Sequence, residues 1–585
     1  MAICMKHFWN QSRNKLLRLF LSRSASSNFN VGFNNYEKEY KNFKLDVPEY
    51  FNFSKHVLEE WKIKELNGER LSSFPAFWWA DDYGREIKWN FETLILESNK
   101  VSNILSEVFD IQFRDCVMVV LPQLPEWWLI NIACLQTGAI ISPGTSSLRV
   151  KDFQNRLLAS KAKCVITIPE LTEAVDKASE GITSLKKKVF VDFHSNFERN
   201  GWFSLNRLMN QASNKFQCFK TRASDPLAWF FTSGTTGLPK IAEHTHASYG
   251  LAHKITGRFW LDLTPNDVMW NVSDTGWAKS AYSSFFGPWW QGSCVFVYNT
   301  PRFNAKKTLE ILQKYPISVT CLPPTAYRLL VLEDIKKFSF NSLRHCVSAG
   351  EPLNPQVIEV WKRETGLYIR EGYGQTEMTL SCGMFQCINM KPGSMGKPTP
   401  GYDLQIIDDD GNILEPFDEG EIALKCFPVY PVGLFNRYVG DPVKTKESFK
   451  GNFYLTGDRG YKDRDGYFWF VGRSDDVINS AGYRIGPFEV ESALIEHPAV
   501  VESAVIGVPC DIRGSIVKAF VVLADDYKAH NMNLMVKMLQ DHVKMCTAPY
   551  KYPRKIEFVE SLPKTISGKI RRVELRKSEN KKSGD

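Results

Sequence analysis

The segment Leu227-Ala-Trp-Phe-Phe-Thr-Ser-Gly-Thr-Thr-Gly-Leu-Pro-Lys240 joins an apolar run to a loop rich in glycine and hydroxyl residues. Gly234 and Gly237 let the backbone bend, so its N–H groups and the hydroxyl side chains can surround phosphate oxygens. The Walker A spacing cannot be fitted here, which disfavours a P-loop kinase or GTPase. The residues predicted to bind phosphate are Thr232, Ser233, Gly234, Thr235, Thr236, Gly237, Leu238, Pro239 and Lys240.

On both sides of this segment, from about residue 90, short apolar runs alternate with helical patterns. Such alternation predicts βαβ units and a doubly wound α/β body. The predicted buried strands are Cys116–Leu121, Cys164–Ile168, Val189–Phe193 and Cys294–Tyr298, and the helices between them include Trp127–Gln136 and Asp152–Ser160.

The pattern changes twice further along the chain. After Gly401, short runs separated by Asp-Gly turns predict an antiparallel sheet or barrel. We therefore predict a large N-terminal domain at residues 31–474, with doubly wound α/β subdomains and a small β-barrel, followed by a small mobile α+β domain at 475–585. The elements predicted in the small domain are a helix at Phe488–His497, strands at Ser503–Val508 and Lys518–Leu523, and a helix at Leu534–Met545.

Composition excludes several classes of protein. With 585 residues, of which 43% are hydrophobic and 24% charged, the chain can bury a large core, so wholesale disorder is excluded. The 13 cysteines include no C-x-x-C pair. This distribution indicates a reducing compartment rather than a disulfide framework or a zinc-ligand pattern. No run reaches the ~18 to 20 uninterrupted apolar residues that span a bilayer, so no transmembrane segment is predicted.

Much of the formal charge of +8 lies at the N-terminus, where five basic residues and no acidic one precede Glu37. The remaining +3 does not suggest a nucleic-acid partner. The segment Arg13–Ser22 has leucine and phenylalanine at helical spacing among basic residues, which predicts a mitochondrial transit peptide over about residues 1–30. A secretory signal fits worse because Arg18 interrupts the apolar run, and a basic terminus without a targeting role is the alternative.

Four more strings follow the loop in a fixed order: Tyr373-Gly-Gln-Thr-Glu377, Tyr454-Leu-Thr-Gly-Asp458, Gly472-Arg-Ser-Asp-Asp476 and Pro563-Lys-Thr-Ile-Ser-Gly-Lys569. Together with the loop they resemble the signature set of the adenylate-forming superfamily, which includes acyl-CoA synthetases, luciferases and peptide-synthetase adenylation domains. The resemblance covers about residues 45 to 575. Strings similar to those of mitochondrial medium-chain acyl-CoA synthetases are Pro48–Asn52, Pro75–Trp79, Pro125–Trp128, Ser273–Trp277 and Ala548–Arg554.

The resemblance implies a two-step reaction in the mitochondrial matrix. A medium-chain fatty acid or an aryl acid attacks the α-phosphate of ATP, which gives acyl-AMP and pyrophosphate; the thiol of coenzyme A then displaces AMP. Because the first step concentrates negative charge around phosphorus, it requires Mg²⁺ and positioned cations. The implied partners are therefore the carboxylic acid, ATP, Mg²⁺ and coenzyme A.

The resemblance also assigns roles to residues of the first step. Lys569 and Thr376 would be catalytic, and Glu377 would ligate Mg²⁺. Asp458 would accept the two ribose hydroxyls, and Arg473 would donate to the same sugar. The remaining residues implied at the nucleotide are Glu371, Gly372, Tyr373, Gly374 and Gln375.

Residues implied for coenzyme A and for the acid are less strongly determined. Position 481 is alanine where serine is expected in near relatives, which puts one hydroxyl contact in doubt. The tryptophan pair Trp289 and Trp290 is expected to be core, and Arg571, Arg572 and Lys577 are expected to be solvated. The residues implied are Ala481, Gly482, Tyr483, Arg513, Lys544 and Arg554 for coenzyme A, and Trp277, Gly350, Thr376 and Arg484 for the acid.

Two other functions stay open at this point. A luciferase-like or carrier-charging adenylation enzyme would share the same motifs, although the sequence ends 16 residues after Lys569 and no carrier domain is expected there. A catalytically silent binding homologue would be expected to carry a broken motif, and none is broken here. A monomer is favoured, and the resemblance places a domain hinge at Asp475.

Overall fold

A computed structural model describes residues 33–192, 197–232, 240–300, 302–480, 483–510, 513–564 and 569–582. Several predicted features lie outside these residues. They are the transit peptide at 1–30, the end of one predicted strand at Phe193, the phosphate-loop residues Ser233, Gly234, Thr235, Thr236, Gly237, Leu238 and Pro239, and the pair Ala481 and Gly482.

The first sheet has eight strands, and its central strands are parallel, as their unbroken apolar runs predict. Three predicted strands of this sheet are confirmed. The strands predicted at Cys116–Leu121 and Cys164–Ile168 end earlier than predicted, and the one predicted at Val189–Phe193 lies at Lys187–Phe190, two residues closer to the N-terminus at its start. In spatial order the strands are Arg437–Tyr438, Lys240–Thr245, Pro226–Thr232, Ile140–Pro143, Cys116–Val119, Cys164–Thr167, Lys187–Phe190 and Phe203–Ser204.

The second sheet has nine strands, and it is parallel except at its two ends. The hairpin formed by Phe77–Asp81 and Glu86–Trp89 at one edge was not predicted, because its residues show no clear alternation of apolar and polar positions. In spatial order the strands are Lys397–Pro398, Met378–Gly383, Ile369–Gln375, His345–Ala349, Val319–Leu322, Val268–Asn271, Cys294–Asn299, Phe77–Asp81 and Glu86–Trp89.

The third sheet follows Gly401, and its five strands pair antiparallel. An antiparallel sheet or a barrel was predicted there, and the observed strand pairing is that of an antiparallel sheet. In spatial order the strands are Leu404–Ile407, Gly420–Lys425, Phe453–Lys462 and Phe449–Lys450, and Phe468–Arg473 pairs with the third of these.

The fourth sheet belongs to the small C-terminal domain, which has an apolar core of its own around Leu494, Leu539 and Val521. Sequence analysis found both long strands and both helices but missed a short hairpin before the first helix, because each of its strands has only three residues. In spatial order the strands are Tyr483–Ile485, Ile478–Ser480, Gly514–Leu523 and Val500–Cys510, and Lys555–Phe558 pairs with the third.

Helices cover the faces of the sheets. Many start at proline, which suits the first helical position because no N–H is needed there. The α-helices are Tyr36–Asn42, Glu59–Leu66, Phe91–Asn103, Pro125–Thr137, Val150–Ser160, Thr172–Ala178, Leu205–Met209, His253–Ile255, Ala278–Ala281, Gly287–Trp290, Ala305–Lys314, Pro324–Leu330, Pro355–Thr365, Pro442–Glu447, Pro487–Ile495, Met532–Cys546 and Arg572–Lys582.

Shorter helical turns complete the described chain. The π-helical turns are Ser54–Leu58, Ile104–Val108, His246–Leu251, Thr256–Trp260 and Tyr282–Phe286, and the 3₁₀ turns are Pro169–Leu171, Ile335–Lys337, Asp525–Tyr527 and Pro549–Lys551. Within the described ranges, no helix is long and apolar enough to cross a bilayer.

The largest apolar core contains fully buried tryptophans that hold distant segments together. Trp289 is 0% exposed, and its indole N–H donates to the carbonyl of Ala76 at 2.9 Å. The indole N–H of Trp290 donates to Gly250 at 2.6 Å. Trp289 therefore belongs to the core, as expected, and the partly buried Trp290 packs against it. All twelve cysteines in the described part of the chain are free thiols.

Candidate active site

Asp458 is the point at which three of the motifs meet. It lies on the strand Phe453–Lys462, directly opposite Arg473 on the paired strand, and Arg473 donates to its Oδ1 at 2.9 Å. The Tyr373 hydroxyl and the Gln375 amide donate to Oδ2 at 2.6 and 2.7 Å. Three of the roughly four acceptor positions of this buried carboxylate are therefore taken. Acceptance of two ribose hydroxyls would require one of these donors to move.

A second contact chain starts at Glu377, in the turn between the strands Ile369–Gln375 and Met378–Gly383. Its Oε1 accepts a hydrogen bond of 2.7 Å from the hydroxyl of Tyr438, and its carbonyl accepts from the N–H of Phe435. The ammonium of Lys240 lies 5.6 Å from the centre of the Tyr438 ring. Tyr438 thus connects the end of the phosphate loop to the proposed metal ligand.

The backbone beside Glu377 is held by a buried histidine. His244 Nε2 donates to the carbonyl of Thr376 at 2.7 Å, and Nδ1 lies 3.0 Å from the Ser248 hydroxyl. Burial lowers the pKa of His244 to about 4, so the imidazole is neutral near pH 7. The Thr376–Glu377 turn is therefore fixed without an extra positive charge in the site.

The two ends of the phosphate loop are adjacent in the first sheet. Thr232 and Lys240 are cross-strand partners in the antiparallel pair formed by Pro226–Thr232 and Lys240–Thr245. The loop thus leaves and re-enters the same sheet at one point.

Close packing surrounds several residues implied at the nucleotide, and Gly350, implied for the acid, has an unusual backbone conformation. Glu371 is buried; one of its carboxylate oxygens accepts from the N–H of Leu353 at 2.8 Å, and burial raises its pKa to about 8. A side chain at Gly372 would come within 2.6 Å of the Trp260 ring, and one at Gly374 within 2.6 Å of the Thr379 carbonyl. Gly350 has a φ of +111°, which side chains rarely tolerate.

Lys279 is a residue that sequence analysis missed. It lies two positions after Trp277, and its ammonium donates to the carbonyl of Ala349 at 2.9 Å. Burial lowers its pKa, and the charge of Lys569 lowers it further. The lysine of the small domain therefore lies close enough to Lys279 for the two charges to repel. The feature of the sequence that could have identified Lys279 is its position as a basic residue two places after the Ser273–Trp277 string.

The Ser273–Trp277 string forms a tight turn between the strand Val268–Asn271 and the short helix Ala278–Ala281. Asp274 accepts from the N–H of Gly276 at 2.8 Å, and burial raises the pKa of Asp274 to about 6. Trp277 precedes the first residue of the helix and is partly exposed. The string therefore ends two residues before Lys279.

Two of the three cations predicted for coenzyme A share one tyrosine. Lys544 and Arg554 lie 4.5 and 5.0 Å from the centre of the Tyr552 ring. Tyr483 stacks on Tyr550 with ring centroids 4.3 Å apart. Arg513 lies elsewhere, in the turn between the two long strands of the fourth sheet, and Arg484 is described only in its backbone.

The expectation of a solvated Arg572 is wrong. Its guanidinium donates to both carboxylate oxygens of Glu491, at 2.7 and 2.8 Å, and lies 3.5 Å from Asp476. The side chain is only 20% exposed because the helix Arg572–Lys582 packs back onto the small domain. Arg571 and Lys577 are exposed, as expected.

Comparisons with known proteins agree with this arrangement. The AMP-binding enzyme family matches residues 67–427, and the AMP-binding enzyme C-terminal domain matches residues 489–569. The mitochondrial acyl-coenzyme A synthetase ACSM3 of Mus musculus is 56% identical over 547 residues, which is 94% of each chain. The mitochondrial acyl-coenzyme A synthetase ACSM4 of Rattus norvegicus is 52% identical over 91% of each chain.

A solved structure gives the same fold. The anthranilate CoA ligase AuaEII, crystallised with anthranoyl-AMP, superposes with a TM-score of 0.83 at 29% identity, over 92% of this chain and 99% of that one. Fold and site thus define an adenylate-forming enzyme. The chain belongs to the medium-chain acyl-coenzyme A synthetase family, whose members are AMP-forming acid–thiol ligases.

Proposed function

We propose that the chain activates medium-chain fatty acids or aryl acids with ATP and Mg²⁺ and transfers the acyl group to coenzyme A in the mitochondrial matrix. The observation that carries the proposal is the convergence on Asp458 of Arg473, Tyr373 and Gln375, from two different sheets. Tyr373 and Gln375 belong to the second sheet and Arg473 to the third, so the packing of these two sheets brings the three donors to one carboxylate.

In the first step the acid carboxylate attacks the α-phosphorus of ATP, and the bond to the bridging oxygen of pyrophosphate breaks. Lys569 would hold the carboxylate beside the α-phosphate, and Thr376 would donate to the same oxygens. The charge of Lys569 lowers the pKa of Lys279, which lies two residues after Trp277, and this supports the access of Lys569 to an acid bound there. Asp458 and Arg473 would position the ribose.

Glu377 fits a Mg²⁺ site. One carboxylate oxygen accepts from Tyr438, and among the described residues the other oxygen has no hydrogen bond. Mg²⁺ is a hard cation that takes carboxylate oxygen and the oxygens of substrate phosphates. When bound there, Mg²⁺ neutralises the charge that develops on the phosphates.

In the second step the thiol of coenzyme A attacks the acyl carbonyl carbon, AMP leaves with the shared oxygen, and the thiol proton passes to solvent. Tyr483, Lys544 and Arg554 lie on the small-domain face that we assign to coenzyme A. By resemblance we also assign Ala481, Gly482 and Arg513 to this ligand. A domain boundary at 474/475 lets this face and Lys569 reach the acyl centre alternately.

The substrate assignment is tested with a panel of acids from acetate to palmitate, with benzoate and anthranilate included, by measuring AMP release. The proposal predicts an optimum among acids of roughly four to twelve carbons or among the aryl acids. A hydrophobic pocket discriminates by only ~1 to 3 kcal/mol per methylene, so activity should fall gradually on both sides of the optimum. An optimum at acetate or at palmitate would contradict it.

The location rests on the acid-free segment at residues 1–30 and on relatives that are named mitochondrial. Import should remove this segment and leave a mature start between residues 22 and 45. N-terminal sequencing of protein isolated from the mitochondrial matrix checks both the compartment and the cleavage. Recovery of residues 1–20 from that fraction would be inconsistent with a cleaved transit peptide.

A further inference from the structure

The end of the helix Met532–Cys546 carries metal-ligating side chains that the proposed reaction does not use. His542 and Cys546 are four residues apart and therefore lie on one face of the helix. Glu496, which follows the helix Pro487–Ile495, reaches the same point. One ligand atom from each of these three residues lies within 4.8 Å of the other two.

One nitrogen of the His542 imidazole is held by a backbone carbonyl. Its Nε2 lies 3.0 Å from the carbonyl oxygen of Ala493. Because a carbonyl can only accept, Nε2 carries the proton and Nδ1 keeps its lone pair. Metal-binding histidines usually hold their second nitrogen in this way. The free Nδ1 lies 3.9 Å from the sulfur of Cys546.

The spacing suits a tetrahedral transition-metal ion. Zinc bonds of about 2.3 Å to sulfur and 2.1 Å to nitrogen place those two atoms about 3.6 Å apart. The Cys546 sulfur lies 3.9 Å from Nδ1, so a small adjustment of the side chains is needed to reach this spacing. A thiolate, an imidazole and a carboxylate together favour Zn²⁺ over Mg²⁺ or Ca²⁺, which take oxygen ligands.

We propose that Glu496, His542 and Cys546 bind one Zn²⁺ ion or a similar transition-metal ion, separate from the Mg²⁺ assigned to Glu377. Glu496 and Cys546 are exposed, so water can fill the remaining coordination position. On binding, the thiol proton passes to solvent and a metal–sulfur bond forms. The ion would join the C-terminal ends of the two helices that cover the core of the small domain.

The test uses the untagged full-length chain, stripped of metal with a chelator and titrated with Co²⁺ as a spectroscopic probe for the zinc position. We expect one equivalent to bind with the charge-transfer absorption of a cobalt–thiolate bond. Zn²⁺ should abolish this absorption, and excess Mg²⁺ should leave it unchanged. A wild-type chain without thiolate absorption would overturn the proposal.

Matched variants locate the site. Cys546→Ser should lose the absorption and His542→Ala should bind at least about tenfold more weakly, whereas Cys510→Ser, in the same domain, should behave as wild type. Zn²⁺ should raise the unfolding temperature of the wild type but not of Cys546→Ser, which also shows that this variant folds. Equal shifts in both chains, or loss of the absorption in Cys510→Ser alone, would place the metal elsewhere.

Discussion

Glu371 shows how burial changes the chemistry of one residue at the site. Burial raises its pKa from an ordinary value near 4.5 to about 8, so the folded protein holds a proton that the unfolded chain releases. The folded state then binds more protons than the unfolded state between these two values. Stability must therefore fall as the pH rises through that window.

The first prediction uses Glu371→Gln, which cannot titrate. The free energy of unfolding of the variant, relative to wild type, should increase from pH 5 to pH 8 by up to about 1.4 kcal/mol per pH unit. Denaturant unfolding at several pH values measures this difference. Burying the glutamine amide changes the free energy of unfolding by the same amount at every pH, so it does not affect this trend. The exposed Glu359→Gln serves as the control and should show a flat difference; a flat difference for Glu371→Gln would refute the raised pKa.

Tyr438 carries a second prediction at the residue scale. Its hydroxyl orients the Glu377 carboxylate, so Tyr438→Phe should raise the Mg²⁺ concentration needed for half-maximal adenylation by about tenfold, with a smaller effect at saturating Mg²⁺. Tyr430→Phe is the matched control, since that hydroxyl donates to the carbonyl of Phe435 and not to Glu377. Identical Mg²⁺ dependence in both variants would remove Tyr438 from this role.

Sequence identified the motif residues of the site but not the single residues that support them. Asp458, Glu377 and Lys569 stand in strings with fixed spacing, so they can be found without coordinates. Tyr438 and Lys279 lie outside such strings, and their positions depend on how separate sheets pack. Glu496 and His542 are 46 residues apart, which is why cysteine spacing alone gave no sign of a metal cluster.

At the scale of elements, long apolar strands and amphipathic helices were predicted to within a few residues. A strand that is buried along its whole length has an unbroken run of apolar residues, as in Cys116–Val119, and such a run is visible in the sequence. Short hairpins such as Ile478–Ser480 with Tyr483–Ile485 escaped prediction because three residues give no period. Arg572, in the last helix, was wrongly expected to be solvated, because a basic stretch of sequence does not show that a buried carboxylate lies beside it.

The third prediction concerns that ion pair. Arg572→Ala should leave the buried Glu491 without its main cationic partner and should destabilise the small domain by about 3 kcal/mol. Arg571→Ala, which removes an exposed cation with one exposed acidic neighbour, should change stability by less than about 1 kcal/mol. Chemical unfolding of both variants measures the difference, and equal effects would show that the Arg572 pair is not stabilising.

At the scale of the whole molecule, one small domain carries groups assigned to both steps. Lys569 lies near Lys279 in the large domain, while Tyr483, Lys544 and Arg554 lie on the coenzyme A face. A single rigid arrangement cannot readily place both sets at one acyl centre. We therefore predict rotation of the small domain about Asp475, a position at the end of a strand pair where a dihedral change costs little packing.

The fourth prediction separates the two steps by mutation. Lys569→Ala should lose adenylation by about 10²-fold or more and still convert supplied acyl-AMP and coenzyme A to thioester. Gly482→Leu and Asp475→Pro should form acyl-AMP but fail in thioester formation. Lys577→Ala, an exposed cation nearby, should retain both steps. If all three functional variants lose both steps equally, the rotating-domain account is wrong.

We expect the carboxylic acid to be activated as its adenylate before coenzyme A reacts. The most direct measurement is acid-dependent exchange of labelled pyrophosphate into ATP in the absence of coenzyme A, using the best acid of the panel. Exchange should require the acid and Mg²⁺, and addition of coenzyme A should then give acyl-CoA and an equal amount of AMP. Formation of ADP and phosphate, or thioester formation without any pyrophosphate exchange, would contradict it.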